Sequence, residues 1–426
     1  MSEMPPPAAP PARLLNRHFV LLWQGQFISQ IGSELHMVAT LFWLKHATGS
    51  ASLMGVIMML AMLPAVLLGP VAGAAADRYS RRSTIILTDF ARGVTVLSLA
   101  AILFLAPQSP RLGVVWIVAV AVVNGTLAAF FRPAIAASVP EIVPRERIAS
   151  ANSLAQAAAQ VAVFFGQGMG GVLFRLLGAP LLFLINGVSY LVSGASACFI
   201  RIPQRLPEKT GTLRATLVSF GVEILAGLRF IRSQRGMLDV ILAATLVNFL
   251  LAPFSVLMPF YVEDFLHRPP DWFGFLLAAV GAGALLGYAL AGALRLTPRA
   301  RAWLIVVPLT LIGVSFAALG LTRSSWVALA IMGLIGIETG LINVLLVTIL
   351  QVTTPTEIRG RVFGVLATLA AGLAPIGMGL AGVIADLAGR NVPLIFLVCG
   401  VASTAVMGVL AWRPRFRGFL MREAGG

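Results

Sequence analysis

Charge is what this sequence has least of. Only 11% of its 426 residues are charged, while 58% are hydrophobic and the mean hydropathy is +0.93. A soluble domain of this length needs a charged surface, so the scarcity excludes that class and points to membrane-spanning helices. Cysteine is nearly absent as well. Cys198 and Cys399 sit singly in apolar runs, which excludes a disulfide framework and a cysteine-held zinc. The four histidines, His18, His36, His46 and His267, are scattered without metal-ligand spacing. No G-x-x-x-x-G-K-[ST] stretch occurs, and no nucleophile–base or metal constellation is visible, so neither ATP-driven machinery nor an enzyme is expected. No cofactor is expected either.

What charge there is has one sign in excess. The net charge of +15 lies in short pieces between apolar runs. That is how membrane topology is encoded, not how a nucleic-acid face is built. Twelve runs reach the roughly 20 residues needed to cross hydrocarbon. They are 18–44, 51–76, 83–105, 112–137, 148–174, 179–200, 237–262, 271–294, 302–322, 325–351, 359–386 and 391–412. Each is about twice the length of a barrel strand and apolar all round, so a transmembrane β-barrel is excluded. With the N-terminus assigned inside, 24 lysines and arginines fall on inside segments and six on outside loops, with Arg92 inside a span. That asymmetry places both termini in the cytoplasm of a cell-membrane, inner-membrane-type protein. The start, "MSEMPPPAAPPARLLNR", has no apolar core followed by a cleavage site and reads as a retained tail.

The chain also repeats itself. "VPRERIAS" (143–150) matches "TPTEIRGR" (354–361), and "GVLFRLLG" (171–178) matches "GVIADLAG" (382–389), both at an offset of 211 residues. A constant offset of half a chain predicts two six-span halves. The expected organisation is a disordered cytoplasmic tail (1–16), an N-terminal six-helix bundle (17–200), a cytoplasmic linker (201–236), a C-terminal six-helix bundle (237–412) and a basic cytoplasmic tail (413–426). In the linker, Leu213, Leu217, Phe220, Ile224, Leu228 and Ile231 form one apolar stripe. It suits a helix lying on the inner leaflet or one packed on the bundle.

Between spans 2 and 3 stands "GPVAGAAADRYSRRST". Gly69 and Gly73 lie one turn apart, a spacing that lets another helix approach closely. Asp77 then ends the span amid Arg78, Arg81 and Arg82. A glycine face beside a rearrangeable ionic cluster predicts an inside latch. The stretch resembles the loop 2–3 signature of the major facilitator superfamily, G-x-L-a-D-r-x-G-r-[rk], through Gly73, Asp77, Arg78, Arg81 and Arg82. Ala75 and Ser80 depart from it, and the counterpart after span 8, "GALRLTPRAR", has no carboxylate. Span 5 carries "GQGMGG" (166–171), similar to an antiporter-associated G-P-x-x-G-G pattern with Gln167 at the usual proline; Gly166, Gly170 and Gly171 are read as helix-packing residues. "ANSLAQ" (151–156) and "TPTEIRGRVFG" (354–364) resemble the branch that includes macrolide and enterobactin exporters. The resemblance implies an all-α integral membrane fold of twelve helices in two pseudo-symmetric six-helix bundles. It further implies alternating access and a central cavity lined by spans 1, 4, 7 and 10.

Polar groups inside the spans are the remaining signal, because an ionised group there costs about 2.5–3.5 kcal/mol on lenient scales. In span 1, "WQGQFISQIGSELH" places Gln26, Ser29, Gln30, Ser33 and Glu34 on one side, with His36 at its margin. Glu34 is the first candidate to carry a proton, since a carboxylate taken out of water favours its neutral form. Glu338 in span 10 is the second. The resemblance adds Asn124, Asn248 and Asn343 to the candidate cavity. Asp89 and Arg92, three apart in span 3, can neutralise one another and read as a structural or gating pair. Arg132 is expected to answer Asp77, Glu141 or lipid phosphate. Asn152, Gln156, Gln160 and Gln167 share a face of span 5 and suit interhelical hydrogen bonds. The function expected is export of a small amphipathic substrate, drug-like or siderophore-like, coupled to protons. A lysophospholipid flippase of the same fold, or a non-transporting sensor, stands as the alternative. The working form expected is a monomer in the bilayer.

Overall fold

In the computed structural model of the protein, residues 13–204, 213–234, 236–294 and 297–421 are described. The proline-rich start, residues 205–212 of the linker, Arg235, residues 295–296 and the last five residues lie outside them. So do some side chains within helices, among them those of Asp77 and of linker residues 213–220.

The twelve expected spans are helices. The first six are α1 (Arg17–Thr48), α2 (Ala51–Arg78), α3 (Arg81–Leu105), α4 (Pro110–Ile142), and then Ile148–Cys198, which holds two. Gly178, at φ 74° and ψ 165°, breaks that run into α5 (148–177) and α6 (179–198). Only glycine takes such a conformation without strain, and Pro180 starts the new helix two residues on. The linker helix (Leu213–Ser233) follows. Then come α7 (Met237–Phe265), α8 (Asp271–Ala293), α9 (Pro298–Leu321), α10 (Ser325–Thr353), α11 (Thr356–Leu387), α12 (Val392–Trp412) and a terminal helix (Pro414–Leu420). Ends are set locally: Ser80, Thr297, Ser324 and Asn391 each accept a first-turn backbone N–H as N-caps.

Among the described residues, nine stretches are long and apolar enough to cross a membrane, one of them the double helix Arg145–Cys198. The helix α1 is not among them. Its polar stripe lowers the hydropathy of its windows.

The chain divides into two compact units, Met1–Trp43 with Leu60–Leu217, and Leu44–Met59 with Val218–Gly426. The division cuts through α1 and α2, so the hairpin tip joining them belongs to the second unit. The first unit packs α3 against α4 and α6. Gly93 of α3 lies against Leu191 and the Gly187 carbonyl of α6, where a side chain on either glycine would collide. In the second unit, Gly287 of α8 meets Gly340 of α10 backbone to backbone, Gly283 sits on the Gly333 carbonyl, and Gly336 sits on the Val280 carbonyl. Two four-residue glycine steps facing each other supply the close approach that apolar lipid cannot drive. The linker helix buries Ile231 and rests Ile224 and Phe230 on the core of this unit, which also holds Phe416, Phe419 and Leu420 of the terminal helix. Its described half therefore packs on the bundle.

Candidate functional site

Two α1 side chains, one residue apart, make different contacts in the first unit. Glu34 meets α5. Gln167 Nε2 donates to Glu34 Oε2 at 2.7 Å. The contact exists because Gly166 precedes Gln167: a Cβ on Gly166 would strike the Glu34 Cβ and the Ile31 carbonyl. One turn on, Gly170 packs against Val38. The span 5 glycines thus form the seat for α1, with Gly171 also buried. Gln167, the residue that departs from the antiporter-like pattern, supplies the hydrogen bond to the carboxylate.

Ser33 meets α6. Its hydroxyl lies 2.7 Å from the Tyr190 hydroxyl and donates to the Ser29 carbonyl at 2.7 Å. Tyr190 in turn receives Arg92 Nη2 at 2.6 Å, and the guanidinium stacks 4.1 Å over the Tyr190 ring. Asp89 is fully buried and accepts from Ser193 Oγ at 2.7 Å. The Asp89–Arg92 pair itself is long, 3.8 Å from Nη1 to Oδ1. The polar stripe of α1 is therefore a contact surface for α5 and α6.

The other sequence candidates are more dispersed. Gln26 and Gln30 are half-buried on α1. His36 stacks at 4.7 Å on Phe183, and its Nδ1 has no partner among the described residues. The buried Asn124 Oδ1 likewise has none. Arg132 is exposed. In the second unit Glu338 is buried, with Oε1 accepting from Ser315 Oγ of α9 at 3.2 Å and Oε2 unpartnered among the described residues. Asn248 and Asn343 are exposed, and Asn248 bonds back to the Ala244 carbonyl of its own helix.

The loop 2–3 cluster is organised by Arg81. Its guanidinium donates to the carbonyls of Ala76 and Ala137 and reaches Glu141 at 3.3 Å. Arg82 donates to the Cys198 carbonyl at 2.5 Å, at the end of α6. Arg78 ends α2. The close helix approach expected at Gly69 and Gly73 is absent, since nothing described lies within 4 Å of a Cβ built on either. The tight contact on the α2 wall is made instead by Gly125 of α4 against the Ala61 carbonyl.

Sequence reasoning passed over a polar cluster in the second unit. Lys45, 8% exposed, reaches Glu263 Oε2 and Asp264 Oδ1, both at 2.6 Å, and His46 Nε2 lies 3.0 Å from Glu263. Asp386 at the end of α11 accepts from Ser52 N–H and Ser50 Oγ at 2.8 Å and from Ala51 N–H at 3.1 Å. Arg390 Nη1 donates to the Gly49 carbonyl at 2.9 Å. The repeat held a signal for Asp386, which occupies the place of Arg175 at the same offset of 211.

Known proteins resemble this chain over most of its length. The family model described as Major Facilitator Superfamily matches residues 22–376. The MFS-type transporter YfiS of Bacillus subtilis is 28% identical over 384 residues, 89% of each chain. Macrolide efflux protein A of Streptococcus pyogenes is 26% identical over 386 residues, 88% of this chain and 90% of that one. The multidrug efflux pump Tap of Mycolicibacterium fortuitum is 28% identical over 401 residues, 91% and 93% of the two. Among solved structures, a point mutant of the nucleoside transporter NupG superposes with a TM-score of 0.72 at 11% identity, covering 93% of this chain and 99% of that one. A bacterial homologue of the iron transporter ferroportin, in an inward-facing state, gives 0.70 at 15% identity, covering 94% and 100%. Twelve helices in two bundles and a family match across the chain converge: this is a multi-pass membrane transporter, not an enzyme, and it belongs to the Major Facilitator Superfamily.

Proposed function

We propose that the protein exports small amphipathic compounds from the cytoplasm in exchange for protons, with both termini inside. The observation that carries this reading is the Glu34–Gln167 pair. A carboxylate in a membrane span is costly when ionised and is retained where it handles an ion or a cargo. Here its direct partner is a neutral amide, which serves either charge state. The amide donates N–H to the carboxylate, or accepts O–H through its oxygen once the acid is protonated. A fixed lysine or arginine in that place would hold the group ionised throughout. In the proposed cycle Glu34 takes a proton from outside and releases it inside, cargo competing for the other charge state. Glu338 is the second carrier, with Ser315 as its neutral partner. Gln26, Gln30, Asn124, Asn248 and Asn343 are the proposed polar contacts for cargo. Arg78, Arg81, Arg82 and Arg132, with Asp77, are the inside gating set. The named activities of the macrolide and multidrug efflux relatives support export of drug-like compounds.

The test is efflux of a fluorescent amphiphile from proteoliposomes with an imposed pH gradient, for wild type, Glu34→Gln and Glu338→Gln. Antiport predicts transport that collapses with the gradient and is lost in at least one variant. Movement of a lysophospholipid analogue indifferent to the gradient identifies a flippase. No movement of any probe counts against export of amphiphilic compounds. Either of the last two outcomes removes the proposal.

A further inference from the structure

The first unit buries a second carboxylate that the cycle above does not use, and its surroundings are lopsided. Asp89 lies eight residues into α3, about 12 Å along the helix at 1.5 Å per residue. It is fully buried, yet among the described residues it receives a single hydrogen bond, from the neutral Ser193 hydroxyl to Oδ2. Oδ1 has no hydrogen-bond partner among the described residues. The cation that should answer it is close but turned away. Arg92 Nη1 stands 3.8 Å from Oδ1, beyond hydrogen-bond distance, while Nη2 is committed to Tyr190.

The donors beyond Arg92 all run one way. Ser33 spends its proton on the Ser29 carbonyl, so the Tyr190 hydroxyl must donate to Ser33 and accept from Arg92. The result is a directed chain from Arg92 through Tyr190 and Ser33 to the backbone of α1. The guanidinium is held in that pose by the Tyr190 ring at 4.1 Å and the Phe131 ring at 5.4 Å.

We propose that Asp89 is a proton-binding site, and that Arg92 reports its state to α1. With the proton on, the carboxylic acid is neutral and Arg92 serves Tyr190. When the proton leaves to water, Oδ1 becomes an ion with an open acceptor 3.8 Å from Nη1. The Arg92–Tyr190 bond then breaks and an Arg92–Asp89 bond forms, which withdraws the charged donor that polarises the Tyr190–Ser33 hydrogen bond and so weakens the hold of α6 on α1. The charged and titratable groups facing the site are Arg92 of α3, Tyr190 of α6 and His36 of α1, which lies in the field of Arg92. From α4 come the Phe131 ring and the exposed Arg132 beside it. The ligand is a proton alone. The inference leans on the proton-coupled reading only for its physiological use, because its test needs neither cargo nor gradient.

The test is a pH titration of purified protein in nanodiscs, followed by the infrared carbonyl stretch of protonated carboxyl groups. Wild type minus Asp89→Asn is expected to show one carboxyl band that disappears as pH rises. Ser193→Ala removes the hydrogen bond to the ion, so the band should persist to higher pH, with proton affinity up about tenfold. Tyr190→Phe frees Arg92 for the ion, so the band should vanish at lower pH by a similar factor. The opposite signs are the signature, since nonspecific loosening would move both variants alike. In parallel, amide hydrogen exchange of residues 26–37 should quicken with deprotonation in wild type beyond the intrinsic pH effect. That extra change should be missing in Asp89→Asn. A difference spectrum with no titrating band, or shifts of the same sign in the two variants, overturns the site. Failure of the efflux experiment with this titration intact removes the proton-coupled export reading and leaves the proton site standing.

Discussion

Gln167 donates to Glu34 across the α1–α5 contact at 2.7 Å, from the position next to the glycine on which Glu34 itself is seated. Two adjacent residues of α5 therefore fix where the carboxylate stands and what it bonds. A hydrogen bond to an ionised acceptor contributes about 1.5–3 kcal/mol, and it favours the ionised form. Gln167→Leu removes the donor and keeps the volume. Gradient-driven efflux should persist in that variant, with its pH profile displaced to the alkaline side by about one unit. Glu34→Gln should remove the part of the pH dependence that Glu34 carries and leave the part carried by Glu338. An unchanged profile in Gln167→Leu would show that the amide does not act on the proton step.

The glycines of this chain are not equivalent, and their substitution separates packing from motif. A methyl on Gly166 meets the Glu34 Cβ and the Ile31 carbonyl, which is backbone and cannot rotate away. Overpacking of that kind costs about 1–3 kcal/mol. A methyl on Gly73 meets nothing within 4 Å, and alanine is the better helix former by roughly 0.8–1 kcal/mol. Thermal unfolding in detergent should place Gly166→Ala below wild type and Gly73→Ala level with it or above. A matching loss in both would mean that Gly73 is packed in the folded protein.

How much of this was legible beforehand follows from what each feature depends on. The spans were legible because bilayer thickness writes their length directly into the sequence. Even the break at Gly178 falls between the predicted ends of spans 5 and 6. The polar stripe of α1 was legible as a periodicity. Which helix each polar group would meet was not, since that needs the packing of three helices. Ser33 and Glu34 are neighbours in the chain, yet one bonds α6 and the other α5. Gly69 and Gly73 carried a strong spacing signal and pack on nothing described, while Gly166 and Gly170, read as packing residues, do pack. Lys45 stands at the edge of an outside loop in the sequence and shows no partner there, because its acids lie 218 and 219 residues away.

Lys45 is the buried member of that cluster, and it answers two carboxylates at once. Removing it strands Glu263, 17% exposed, beside the half-exposed Asp264. Breaking a fully buried pair costs about 3–5 kcal/mol. Solvent at Asp264 reduces this, and about 2 kcal/mol is expected for Lys45→Met. Adding Glu263→Gln should recover part of the loss, because it removes the stranded charge. A double variant less stable than Lys45→Met alone would show that Glu263 is held by other partners, His46 foremost.

Asp386 does for α2 what an N-cap does, but from a different helix. The first backbone N–H groups of any helix lack intrahelical partners, and the helix dipole makes that end favourable to an anion. Here the carboxylate takes the N–H groups of Ala51 and Ser52 together with the Ser50 hydroxyl. Asp386→Ala should cost about 1–2 kcal/mol, the range for loss of a good cap. Asp386→Asn should fall between, because its amide oxygen still accepts while its NH2 faces a second donor. Arg390→Gln is the control, since it removes one bond to the Gly49 carbonyl and leaves the cap in place. The readout is amide exchange of residues 50–54 alongside the melting temperature. Exchange at Ala51 and Ser52 should rise sharply in Asp386→Ala and little in Arg390→Gln. Equal exchange in the two variants would mean that the hairpin is held by the sum of its contacts and not by the carboxylate on its helix end.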